Sequence, residues 1–171
     1  MPISKATHRD IPELVRLVNS AYRGEGSKKG WTTEADLLDG IRTDEHSLKE
    51  MMEKPGAVIL KCVDKNNNLS GSVYLQKQDE KLYLGMLTVS PELQAKGIGK
   101  QLLEASENQA NIVGCTSIKM TVISVRGELI AWYERHGYRR TGDTEPFPVD
   151  EKFGIPKQQL EFVVMEKRLE V

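Results

Sequence analysis

Leu82-Tyr83-Leu84-Gly85-Met86-Leu87-Thr88-Val89-Ser90-Pro91-Glu92-Leu93-Gln94-Ala95-Lys96-Gly97-Ile98-Gly99-Lys100-Gln101-Leu102-Leu103 carries an apolar run through a glycine-bearing loop into apolar residues at helical spacing. The order is strand, loop, helix. The first turn of a helix has backbone N–H groups without partners and the positive end of the peptide macrodipole, so a strand feeding such a loop is built to hold phosphoryl oxygens. Gly97 and Gly99 remove Cβ atoms that would keep a pyrophosphate away from the main chain. Spacing excludes two other phosphate loops. A P-loop needs glycine where Gln94 stands and Ser or Thr where Gln101 stands; a dinucleotide fingerprint needs glycine at Leu102.

Around this stretch the composition is that of an ordinary globular protein. The chain has 171 residues, 39% hydrophobic and 29% charged, enough for one well-filled core and read as a single domain over 1–171. A net charge of −1 argues against a nucleic-acid binder, which needs a concentrated basic face. No apolar run reaches the ~18 residues of a membrane span, and the N-terminus lacks a signal-peptide layout, so no membrane partner is expected. Cys62 and Cys115 sit in or beside apolar strand-like segments without a disulfide framework, which predicts buried reduced thiols and a cytoplasmic location. His8, His46 and His136 are scattered without ligand spacing, so no metal is expected.

Along the chain, Ile3–Thr7 predicts a strand, and Asp10 with Glu13 predicts a capping box for a helix whose apolar face is Ile11, Leu14, Val15, Leu17, Val18, Ala21 and Tyr22. Arg23 to Gly30 predicts a loop. A second helix is predicted from Thr32 or Thr33 through Ile41, and a third from Thr43 to before Pro55. Strands are predicted at Ala57–Val63, Leu69–Gln76, Lys81–Val89, Ser117–Ile123, Tyr138–Thr141 and Gln159–Arg168. Helices are predicted at Ile98–Val113 and Glu128–His136, each stopped by a glycine. The loop with Pro146, Pro148 and Pro156 is long enough to suggest function.

Gln94-x-x-Gly97-x-Gly99 after Val89-Ser90-Pro91, followed one strand later by Ala131-Trp132-Tyr133-Glu134-Arg135-His136-Gly137-Tyr138, resembles the GNAT N-acetyltransferase family in motif, order and spacing over nearly the whole chain. The resemblance implies an α/β fold. Its central, mixed, mostly antiparallel twisted sheet of about seven strands is flanked by helices and splayed between the fourth and fifth strands. It also implies acetyl-CoA as co-substrate and an amine of a small molecule or peptide as acceptor, and leaves a homodimer open. Carried over, Leu87, Thr88 and Val89 pair with the pantetheine arm, and Gly85 marks the bulge that splays the strand. Gln94, Ala95, Lys96, Gly97, Ile98, Gly99 and Lys100 hold the pyrophosphate.

Tyr133 matches the family tyrosine that protonates the departing thiolate. Arg126 stands where many members carry an Asn contacting the cofactor, a departure that leaves a cofactor contact and a surface arginine both open. The interior strands lack the carboxylate that many members use as base, and Thr121 stands where one related group has Glu. Glu34, Asp36 or water remain as routes for amine deprotonation. Between Trp31 and Glu53, seven acidic residues face two basic ones, Arg42 and Lys49. Trp31, Glu34 and Asp36 are therefore candidate acceptor contacts, against the plainer reading of a solvated acidic face. The rival function is a coenzyme A-binding sensor or interaction module without turnover.

Overall fold

The computed structural model describes residues 2–22, 34–35, 38–39, 41–93, 96–147, 155–157 and 160–169. In chain order the elements are β1 (Ile3–Lys5), α1 (Ile11–Tyr22), β2 (Leu38–Asp39), α2 (Glu45–Glu53), β3 (Ala57–Val63), β4 (Leu69–Gln78), β5 (Lys81–Val89) and α3 (Ile98–Ile112). They continue with β6 (Ser117–Ile123), α4 (Gly127–Arg135), β7 (Arg139–Pro146), β8 (Ile155–Pro156) and β9 (Glu161–Arg168). Seven strands form one sheet in the order β1-β3-β4-β5-β6-β9-β7, and β2 pairs with β8 separately. All neighbours in the large sheet are antiparallel except β5 and β6. The mixed α/β sheet expected from the sequence is present.

Strand alternation divides the core between the two faces of the sheet. Leu60 and Cys62 of β3, Val73 and Leu75 of β4, and Leu82 and Leu84 of β5 pack with Ile98, Leu102 and Leu103 of α3. Ile59, Tyr74 and Tyr83 point the other way, toward Leu14, Val18 and Tyr22 of α1 and Leu48 of α2. Gly71 lets α3 lie this close: a Cβ there would come within 2.9 Å of the Thr88 carbonyl and 3.0 Å of Ile98 and Leu102. Both cysteines are buried and free, as expected.

Three local expectations change. Asp10 does not cap α1 with Glu13. The Thr7 N–H donates to Asp10 Oδ2 at 2.8 Å around a short 3-10 turn, and Lys61 of β3 holds the same carboxylate at 3.0 Å. The predicted helix to Ile41 begins at Thr32 and Thr33, outside the described residues, and its described part is not helical: Leu38–Asp39 is a strand. Pairing with Ile155–Pro156, more than a hundred residues away, overrides the local helical pattern. The third helix starts at Glu45, two residues later than predicted, because Asp44 accepts from the Ser47 N–H at 2.8 Å and so serves as its cap.

Candidate active site

The parallel pairing of β5 with β6 ends at Tyr83 and Lys119, leaving Leu84–Val89 without a β6 partner. The splay therefore falls between the fourth and fifth strands of the large sheet in chain order. On its other side β5 carries a bulge: Ser72 pairs with Thr88 and Tyr74 with Gly85, so β5 has one residue more than β4 in this interval. The extra residue reverses the alternation. Leu82 and Leu84 face α3 before the bulge, and Leu87 and Val89 face it afterwards.

Gly85 was the expected marker of this bulge, but the strained backbone belongs to its neighbour Met86, whose φ is +47°. A side-chain-bearing residue in this left-handed region is destabilised by about 1–2 kcal/mol and persists where its surroundings hold it. Two hydroxyls do so here. Thr88 Oγ1 donates to the Met86 carbonyl at 2.9 Å, and the Tyr22 hydroxyl donates to the Leu87 carbonyl. Tyr22, at the last position of α1, is thus the long-range support of the bulge beside the local one from Thr88, and its place on an apolar helix face hid this in the sequence.

Beyond the end of β5, α3 opens at Gly97, whose φ is +80° and which offers no side chain to cap the helix. The first intrahelical bond runs from the Gln101 N–H to the Gly97 carbonyl at 3.0 Å, so the N–H groups of Ile98, Gly99 and Lys100 have no partner within the helix. Lys96, Gly97 and Lys100 are exposed; Ile98 has its side chain in the core and offers only its main chain. Gly99, by contrast, is buried, and a Cβ on it would lie 3.2 Å from the Trp132 ring. Absence of a side chain at Gly99 therefore serves the packing of α3 on α4, whereas a Cβ at Gly97 would meet nothing within 4 Å. Gln94 and Ala95 lie outside the described residues.

The splay leads into a cavity of about 440 Å3, lined among others by Met86, Leu87, Thr121, Arg126 and Tyr133. Tyr133 of α4 is buried, edge-on to both Trp132 and Tyr138 at ring separations of 5.2 and 5.8 Å. Burial pushes its hydroxyl well above the ordinary phenol range, Tyr22 and Tyr138 add to the rise, and Arg126 opposes it. The phenol therefore stays protonated at neutral pH and is a hydrogen-bond donor. Burial likewise raises Tyr22, with Arg42 opposing.

Glu34 also lines the cavity, and it is the single carboxylate among the described lining residues. Its Oε2 lies 3.9 Å from Arg126 Nη1, with the two side chains 10% and 9% exposed. Arg126, for which a cofactor contact and a surface arginine were both open, is largely buried beside the candidate acceptor residue. Trp31 and Asp36, the other two acceptor candidates, lie outside the described residues. Arg42 was missed as a site residue: the sequence offered it only as a countercharge on an acidic stretch, yet it lines the cavity with its guanidinium carbon 5.6 Å from the centre of the Tyr22 ring. Lys157, next to β8, donates to the Ala35 carbonyl at 2.8 Å and ties the loop before β9 to the segment that carries Glu34.

Known proteins share this architecture. Over 99% of the chain it superposes on 94% of the ribosomal-protein-S18-alanine N-acetyltransferase of Escherichia coli, with TM-score 0.73 and 14% identity. The ribosomal-protein-alanine N-acetyltransferase of Brucella melitensis gives TM-score 0.71 at 21% identity, covering 99% of this chain and all of that one, at 100%. A GNAT-family acetyltransferase of Staphylococcus aureus Mu50 gives TM-score 0.70 at 17% identity over 99% of both chains. At these identities the likeness speaks for the fold. No curated protein sequence matches the chain. The model of the acetyltransferase (GNAT) domain matches residues 20–168, and the chain belongs to the GNAT acetyltransferase family.

Proposed function

We propose that the protein transfers the acetyl group of acetyl-CoA to a primary amine of a small molecule or peptide, within one domain spanning the chain. The observation that carries this reading is the presence of three features along and beyond one strand: an uncapped helix N-terminus after β5, a β5 edge freed by the splay, and a cavity lined by that edge and a buried protonated phenol. Acetyl-CoA supplies the activated thioester. The exposed backbone at Lys96 and Gly97, with the N–H groups opening α3, holds its phosphates, and the Lys96 and Lys100 ammonium groups add charge. Leu87, Thr88 and Val89 present main-chain groups to the pantetheine arm. The bulge re-aims the backbone near Leu87, so that an N–H faces the acetyl oxygen and stabilises charge developing there.

As the amine nitrogen bonds to the acetyl carbon and the carbon–sulfur bond breaks, Glu34 takes up the amine's proton through water. Tyr133 donates its proton to the sulfur. A partner-dependent reading also exists: Arg126 neutralises the single described carboxylate of the cavity, which favours a coenzyme A-binding module without turnover. Release of free thiol from acetyl-CoA in the presence of an amine panel, with mass spectrometry of the N-acetylated product, decides between them. Tight coenzyme A binding with no thiol released above background on any acceptor would sink the enzyme reading.

A further inference from the structure

The charges lining the cavity do not match a simple cationic amine. Arg126 offsets Glu34 across 3.9 Å, and Arg42 then remains as the uncompensated charge among the described lining residues. No described carboxylate forms an ion pair with Arg42. Its main chain is held in place. Asn19 of α1 accepts from the Arg42 N–H at 2.8 Å and from the Thr43 N–H at 3.0 Å, and its Nδ2 donates to the Thr43 carbonyl at 3.0 Å. The Tyr22 ring, under the guanidinium, supports the side chain on one side. A cation whose own N–H and whose neighbour's N–H and carbonyl are all held by one asparagine, and whose head rests on an aromatic face, has already lost much of the freedom that binding would otherwise take from it.

We infer that Arg42, positioned by Asn19, receives a carboxylate on the acceptor, so that the substrate is an amino acid or a closely related amine bearing a carboxylate, with its amino group directed to Glu34. The inference rests on the acetyl-transfer reading of the same cavity. A guanidinium matches a carboxylate in shape and charge, and binds it through paired hydrogen bonds that an uncharged amide cannot reproduce. The volume, about 440 Å3, falls at the small end of the roughly 300–1,000 Å3 usual for small-molecule sites.

Matched triplets test this: leucine, leucinamide and 3-methylbutylamine; phenylalanine, phenylalaninamide and phenethylamine; and the corresponding aspartate, glutamate, lysine and methionine sets. Each is measured for thiol release and, by calorimetry, for binding to protein saturated with coenzyme A. The carboxylate member of at least one triplet should exceed its amide by about tenfold or more in kcat/KM or affinity, the size of a charge-assisted hydrogen bond. Arg42→Gln should bring that preference to within about threefold by raising KM for the carboxylate member alone. Asn19→Ala should shrink the same ratio, a change that loss of stability by itself would not produce. Amides or decarboxylated amines reacting as well as or better than every carboxylate would overturn the inference and leave acetyl transfer standing. Binding and turnover absent from all carboxylate members would overturn it as well, whatever the variants do. Thiol release from no amine, alongside selective carboxylate binding, would overturn the transfer reading and keep the Arg42 site.

Discussion

Replacing Tyr22 by Phe removes one oxygen and leaves the ring under Arg42 in place. The oxygen donates to the carbonyl of Leu87, a residue only 4% exposed, at the point where β5 is paired with neither β4 nor β6. A buried carbonyl left without its donor destabilises the fold by about 1–3 kcal/mol. That is comparable to the roughly 1–2 kcal/mol stored in the left-handed Met86 backbone, so the bulge loses the support that offsets its strain. For a chain of this size the loss corresponds to a fall in Tm of about 2–12 °C. If the bulge aims a main-chain N–H at the acetyl oxygen, relaxation should also lower kcat about tenfold to a hundredfold. Urea unfolding and steady-state thiol release on the same variant measure both effects. Unchanged stability together with unchanged kcat would refute the claim that Tyr22 holds the bulge and that the bulge serves the reaction.

Gly97→Ala and Gly99→Val should separate: the first lowers coenzyme A affinity by about tenfold or more while backbone strain takes only about 1 kcal/mol of stability, and the second loses stability first through its clash with Trp132. Calorimetry paired with thermal unfolding checks this, and equal behaviour of the two would count against the geometry. Tyr133→Phe should reduce kcat by roughly 10²–10⁴ with coenzyme A affinity intact. Because burial holds this phenol well above its ordinary value, it should contribute no alkaline fall in the wild-type kcat below about pH 10, contrary to a limb expected from an unperturbed tyrosine. The four buried phenols Tyr22, Tyr74, Tyr133 and Tyr138 are all raised, chiefly by burial, so above about pH 10 the unfolded chain ionises first and binds fewer protons than the native one. Their stability contribution is complete below that pH and should be lost above it, by up to about 1.4 kcal/mol per pH unit per tyrosine; a flat urea midpoint from pH 9.5 to 11 would contradict this.

What the sequence made legible were features with local causes. Ile98, Leu102 and Leu103 recur at helical spacing behind Gly97 because they must all reach the sheet, and they are buried there. Gly85 pointed to a bulge and was off by one residue, since the register against β4, not the glycine, decides which backbone takes the extra turn. The rest depended on contacts between distant segments. Leu38–Asp39 reads as helix until Ile155–Pro156 pairs with it. Tyr22 reads as one more apolar residue of α1, and nothing nearby in sequence marks a bond to a carbonyl 65 residues further on. Arg42 looked like an isolated basic residue and Arg126 was marked only by the family resemblance; folding brings both to the cavity that also holds Glu34. An Asn in the last turn of a helix, facing an Arg-Thr pair ahead of a cap, is the one weak cue that pattern reading passed over.

A crystal structure with coenzyme A decides whether the slot between β5 and β6 past Tyr83 is the cofactor's place. The pantetheine arm should run along Leu84–Val89 as a stand-in strand, with the phosphates on the backbone from Lys96 to Lys100 and the sulfur within hydrogen-bond reach of the Tyr133 hydroxyl. Coenzyme A bound elsewhere, or its sulfur pointing away from Tyr133, would contradict that placement.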